Sequence, residues 1–129
     1  MSDYVFVYGT LKRGEHNHQL LDGAEFVCET QASNCVLADL GGCPGMLIGS
    51  ADPECTAKGE VFKFDDIKVL MTLDQLEQEG SFYKRIMIPL YIEDEVRMCW
   101  TYILLYALPF KAIIPDGVWT SININAIGP

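Results

Sequence analysis

The sequence predicts an α+β fold whose sheet curls over its own core. Three observations predict it: several short β-branched and aromatic runs, one segment of helical periodicity, and a length of 129 residues, which suits one domain over residues 1–129. Half of the residues are hydrophobic and 21% are charged, enough apolar surface to offset the entropy lost on ordering.

Residues 4–8, Tyr-Val-Phe-Val-Tyr, read as a buried strand that stops at Gly9. A short helix is expected at 18–22. Residues 34–39, 60–64, 84–92 and 96–106 read as further strands, separated by Gly-Gly-Cys-Pro-Gly at 41–45 and by the acidic turn Glu93-Asp94-Glu95. Between the third and fourth strands, Asp65 or Asp66 can cap a helix running to about Gln78, with Gly80 as its terminator. The tail after Trp119 has no pattern that assigns it.

Nine Lys and Arg against eighteen Asp and Glu leave a formal charge of −9, a field that repels phosphate backbones and anionic membranes, so nucleic acid is excluded as a partner. The five cysteines are odd in number and never spaced C-x-x-C, so reduced thiols in a cytoplasm are expected. The apolar run at 4–8 is too short for a signal core, and the stretch 100–110 falls short of the roughly 18 residues that cross a bilayer. No membrane segment is expected.

On a wheel of about 100° per residue with Ile67 at zero, Leu70, Met71, Leu73 and Leu76 form an apolar arc. Glu77, at about 280°, falls between Leu70 and Leu73, and Asp74, at about 340°, between Leu70 and Ile67. A carboxylate on such a face must be paired, hydrogen-bonded, raised in pKa by desolvation, or led out to water past the helix end. A raised pKa would suit a general base. The segment Gly9-Thr-Leu-Lys-Arg-Gly14 has the outer spacing of a phosphate loop, but Glu15 and His16 stand where that motif needs Lys and Ser or Thr. It is either an ordinary loop with a solvated Lys-Arg pair or a nest of amides for a small anion such as a carboxylate.

Val5-Phe-Val-Tyr-Gly-Thr-Leu-Lys-Arg-Gly14, Leu73-Asp-Gln-Leu-Glu77 and Tyr83-Lys-Arg85 together resemble the γ-glutamylcyclotransferase-like family. Cys43-Pro-Gly-Met46, Gly59-Glu-Val61 opening a strand, Trp100-Thr-Tyr102 and Ile114-Pro-Asp-Gly-Val-Trp119 extend the likeness. The resemblance implies a small curled mixed sheet or barrel with one main helix and one or two short ones. It also implies a cofactor-independent, metal-free enzyme acting on a small γ-glutamyl substrate. The α-amine of the γ-glutamyl group attacks its own γ-carbonyl, giving 5-oxoproline and a free amine. Tyr8, Gly9, Thr10 and Leu11 would hold the substrate's α-carboxylate, and Glu77 would be the general acid and base. The Thr in Tyr-Gly-Thr-Leu is similar to the γ-glutamylamine cyclotransferase branch and its plant avirulence-induced-gene-like and bacterial relatives. A binding or sensor module that keeps the pocket without turnover is the alternative.

Arg85 can be a clamp for a substrate carboxylate or a structural ion-pair partner of Asp74. Tyr83 and Tyr102 can give hydroxyls to the pocket or serve as packing. Asp74 is read as structural, bonding backbone or neighbouring hydroxyls. His16 and His18 are expected at the surface, and no cysteine has a histidine arranged beside it for nucleophilic catalysis. The sequence leaves the oligomeric state and the leaving amine open.

Overall fold

Alternation along the first apolar run is resolved into two cores. In strand β1, Asp3–Val7, the side chains of Val5 and Val7 enter one buried cluster and Phe6 enters another on the opposite face, as a two-residue period requires. The computed structural model describes residues 3–15, 17–33, 35–39, 44–48, 56–77, 83–104, 112–114 and 117–118. The further strands are β2, Glu25–Ser33; β3, Cys35–Asp39; β4, Pro44–Ile48; β5, Thr56–Phe64; β6, Tyr83–Ile92; β7, Glu95–Leu104; and β8, Ala112–Ile114. Helix α1 spans Lys68–Glu77, and a 3₁₀ turn spans His18–Leu21.

Five strands form one sheet in the order β2-β5-β1-β7-β6, and three form another in the order β4-β3-β8. β1 lies at the centre of the larger sheet, antiparallel to β5 and parallel to β7, so the sheet is mixed. The expected α+β class and its mixed sheet are present. The barrel is not: the sheet stays open, with β2 and β6 at its two ends. Those ends approach each other, since the Thr30 hydroxyl of β2 donates to the Tyr91 carbonyl of β6 at 3.0 Å, but a side chain bridges them where a barrel would have a ladder.

One face of the large sheet carries Val5, Val7, Phe62, Phe64, Tyr83, Tyr102 and Leu104 and is covered by Val69, Leu70 and Leu73 of α1 and Leu21 of the 3₁₀ turn. The other face carries Phe6, Tyr8, Val61, Leu90, Ile92 and Cys99 and meets Cys35, Leu37 and Met46 of the smaller sheet. Asp66 begins α1 as expected, its carboxylate accepting from the Lys68 N–H at 2.9 Å. The buried arc differs from the wheel: Ile67 and Met71 are 59% and 58% exposed, because the side lying on the sheet centres on Leu70 and Leu73. Residues 78–80, where the helix was expected to end, lie outside the described residues.

Gly59 falls inside β5 and does not open it. A Cβ there would stand 2.3 Å from the Val7 carbonyl oxygen, so only glycine lets the two backbones approach where β1 ends. Among the described residues no helix is long and apolar enough to cross a membrane.

Candidate active site

Where β1 ends, the chain turns sharply and fastens to itself. The Lys12 N–H donates to the Gly9 carbonyl at 3.1 Å, the Glu15 N–H to the Lys12 carbonyl at 3.0 Å, and Gly14 takes the left-handed backbone (φ +86°) that glycine adopts without strain. Asn17 clasps Thr10 twice, its backbone N–H on the Thr10 carbonyl and its side-chain amide on the Thr10 hydroxyl, both at 3.0 Å. His18 is not the surface residue expected: its Nδ1 lies 2.9 Å from the Leu11 carbonyl and its ring packs against Phe62. Among the described residues, none accepts a hydrogen bond from the Thr10 or Leu11 N–H.

The basic pair in this turn is not left to solvent alone: Lys12 is half-buried, and Arg13, though exposed, has fixed partners. Glu60 is 8% exposed and accepts from the Arg13 backbone N–H at 2.8 Å and from its Nε at 3.3 Å, while the guanidinium lies 3.5 Å over the Phe26 ring. Burial lowers the Lys12 ammonium below its ordinary value, with Glu15, Glu60 and Glu29 pulling the other way. The sequence reading missed this clamp. Its signal was present: Glu60 shares a face with Phe62 and Phe64, and an acid there needs a donor.

Tyr8 is buried, and its hydroxyl donates to the Tyr102 carbonyl at 2.7 Å and accepts from the Met46 N–H at 3.2 Å. It ties the end of β1 to β7 and β4. Leu11, 3% exposed, belongs to the same cluster as Leu70 and Leu73 of α1 and Tyr83 of β6. The cluster therefore joins the turn, the helix and the first residue of β6. Glu77 is the last residue of α1; its side chain lies outside the described residues.

Asp74, one turn earlier on α1, has two partners. The Tyr102 hydroxyl donates to its Oδ1 at 2.6 Å, and Arg85 Nε lies 3.4 Å from the same oxygen. The guanidinium of Arg85 also stacks 4.6 Å over the Trp100 ring. Of the two readings of Arg85, the ion pair with Asp74 is present, and Tyr102 binds that same carboxylate. Depressions of about 430 Å³ beside Lys12 and Lys58 and about 270 Å³ beside Tyr4 and Arg97 open elsewhere, and neither is lined by residues 8–11, Asp74 or Arg85.

Residues 5–121 match the model of the gamma-glutamyl cyclotransferase, AIG2-like family. A protein of Vibrio cholerae whose name assigns it provisionally to the gamma-glutamylcyclotransferases is 32% identical over 120 residues, 92% of this chain and 96% of its own. The gamma-glutamylaminecyclotransferase of Rattus norvegicus is 33% identical over 90 residues, 64% of this chain and 59% of its own. The solution structure of YtfP from Escherichia coli superimposes with a TM-score of 0.65 at 28% identity, covering 93% of this chain and 98% of that one. A match over almost the whole length, on a fold that brings the Tyr-Gly-Thr-Leu turn and the late helix into one cluster, establishes that this chain belongs to the gamma-glutamyl cyclotransferase, AIG2-like family.

Proposed function

We propose that the protein, with residues 1–129 acting as one cytoplasmic domain, cyclises γ-glutamylamines. The α-amine of the γ-glutamyl group attacks its own γ-carbonyl carbon. The bond from that carbon to the leaving nitrogen breaks, and 5-oxoproline and a free amine depart. Because nucleophile and electrophile belong to one molecule, the main task is to hold the chain curled, and a well-oriented intramolecular attack can gain on the order of 7–11 kcal/mol. In this reading the backbone donors of Gly9, Thr10 and Leu11 hold the α-carboxylate, and Tyr8 and Tyr83 wall the pocket. Arg85 reaches the reaction through Asp74. Glu77 takes a proton from the α-ammonium, whose ordinary pKa is near about 8, and yields it to solvent, then takes the second proton that the amine sheds as it bonds to carbon and passes it to the departing nitrogen.

The observation that supports this most is the shared cluster of Leu11, Leu70, Leu73 and Tyr83, which sets the braced bend beside the helix that carries Glu77. The preference for γ-glutamylamines draws on the Tyr-Gly-Thr-Leu turn and on the rat relative named for that activity.

Purified protein is expected to release 5-oxoproline from γ-glutamyl-ε-lysine, and Glu77→Gln to lose about 10²-fold or more of that rate with its circular dichroism unchanged. Equal turnover by the variant would remove Glu77 from the mechanism. Binding of a γ-glutamyl compound without turnover of any in a panel would favour the sensor module.

A further inference from the structure

Asp74 precedes Glu77 by three positions, close to one helical turn. Its Oδ1 gathers a donor from each strand of the β6–β7 pair: Arg85 from β6 and Tyr102 from β7, residues that stand directly opposite each other in the ladder. Trp100 lies two residues from Tyr102 on the same face and carries the Arg85 guanidinium on its ring. Two donors from two strands thus meet at one carboxylate oxygen of the helix, and Trp100 backs one of them.

The apolar contacts of α1 cannot do what this cluster does. Val69, Leu70 and Leu73 hold the helix down, but hydrophobic burial has no direction and resists roll or slide only weakly. A hydrogen bond at 2.6 Å fixes both distance and angle. The cluster acts on the turn of α1 that carries both Asp74 and Glu77. Asp74 and Arg85 keep about a quarter of their side-chain surface exposed, and ion pairs so placed add little stability. Precise placement of the turn that ends in Glu77 is the better account of so specific an arrangement.

We infer that Asp74, Arg85 and Tyr102 are positioning residues that fix the rotation of the last turn of α1 and so the backbone from which Glu77 acts. The inference rests on reading Glu77 as the base. Asp74 is not itself that base, because its Oδ1 is engaged by two donors on the sheet. Misplacing a reacting group by about 1 Å can cost about 10²-fold in rate, so a small roll of the helix is enough to matter.

Turnover of γ-glutamyl-ε-lysine and hydrogen exchange of the backbone amides at 73–77 test it together in Tyr102→Phe, Asp74→Asn and Asp74→Ala. Tyr102→Phe and Asp74→Ala are expected to lower kcat by roughly tenfold to a hundredfold with KM within about twofold. Asp74→Asn, which keeps an acceptor for Tyr102, is expected to retain several times the activity of Asp74→Ala. In the losing variants the limb of the pH–rate profile stays where it is and only its height falls, while the amides at 73–77 exchange faster and those of β5 do not. Unchanged kcat in folded Tyr102→Phe and Asp74→Ala would overturn the inference, as would a rise in KM at constant kcat, which would put the cluster on the substrate. Should the wild type release no 5-oxoproline from any γ-glutamyl compound, the proposed activity fails. The exchange measurement then decides the clamp: faster exchange at 73–77 upholds it, unchanged exchange overturns it.

Discussion

One face of the β6–β7 pair has two fates. At one end Tyr83, Tyr102 and Leu104 are buried beneath α1. At the other, Tyr91, Val96 and Met98 are 70%, 58% and 49% exposed, although they occupy the same face of the same ladder. The side chains are apolar at both ends, so hydropathy does not set the difference. Cover does: among the described residues, Val69, Leu70 and Leu73 of α1 pack with Tyr83, Tyr102 and Leu104. The helix covers the end that carries the Asp74 cluster and leaves the rest to solvent.

Substitutions at the two ends should separate accordingly. Leu73→Ala, beneath the helix, is expected to cost about 2–5 kcal/mol in urea unfolding, and a loss below about 1 kcal/mol would mean that α1 is not the cover described. Tyr102→Phe comes next at about 1 kcal/mol, one hydrogen bond to a partly exposed carboxylate.

A third effect is absent at pH 7 and grows on the alkaline side. Cys99, next to exposed Met98 but buried on the opposite face, has its thiol pushed up to about 12 by burial, with Cys28 adding to the rise. Above the ordinary thiol value near 9 the unfolded chain ionises first and the native one still holds its proton. Stability therefore falls as pH rises through that window. Cys99→Ala should shallow the decline in melts compared between pH 8 and pH 10, and an unaltered slope would put the thiol in water. Smallest of all, Met98→Ser and Tyr91→Ser should stay within about 0.5 kcal/mol of wild type. Losses as large as that of Leu73→Ala would show that the open end is covered after all.

What the sequence disclosed and what it hid follow the same logic. The turn between β6 and β7 was legible, since Glu93 and Asp94 both take positive φ, 52° and 69°, as a two-residue hairpin turn demands. The Asp66 cap was legible for a comparable local reason. β2 was missed because its register shifts between Phe26 and Cys28 against β5, which breaks the alternation by which a strand is recognised. β4 begins inside the glycine- and proline-rich stretch read as a separator, and β8 has only three residues. The wheel placed Ile67 and Met71 inside because hydropathy cannot tell the buried flank of a helix from an apolar exposed one.

At the candidate site the motifs carried the turn and the helix, and spacing put Glu77 on the arc of Leu70 and Leu73. The ion pair of Arg85 with Asp74 was one of the two readings of that arginine. What no spacing could supply was Tyr102 with Asp74 and Arg13 with Glu60, separated by 28 and 47 positions and set by strand order and by the resting place of α1.

An open sheet invites another chain to add a strand, the route by which soluble proteins grow into fibrils. At one margin of this sheet Pro89 has no N–H to offer a newcomer, and nearby the Tyr91 carbonyl is already taken by Thr30. That margin is thus guarded against an added strand without closure of the sheet.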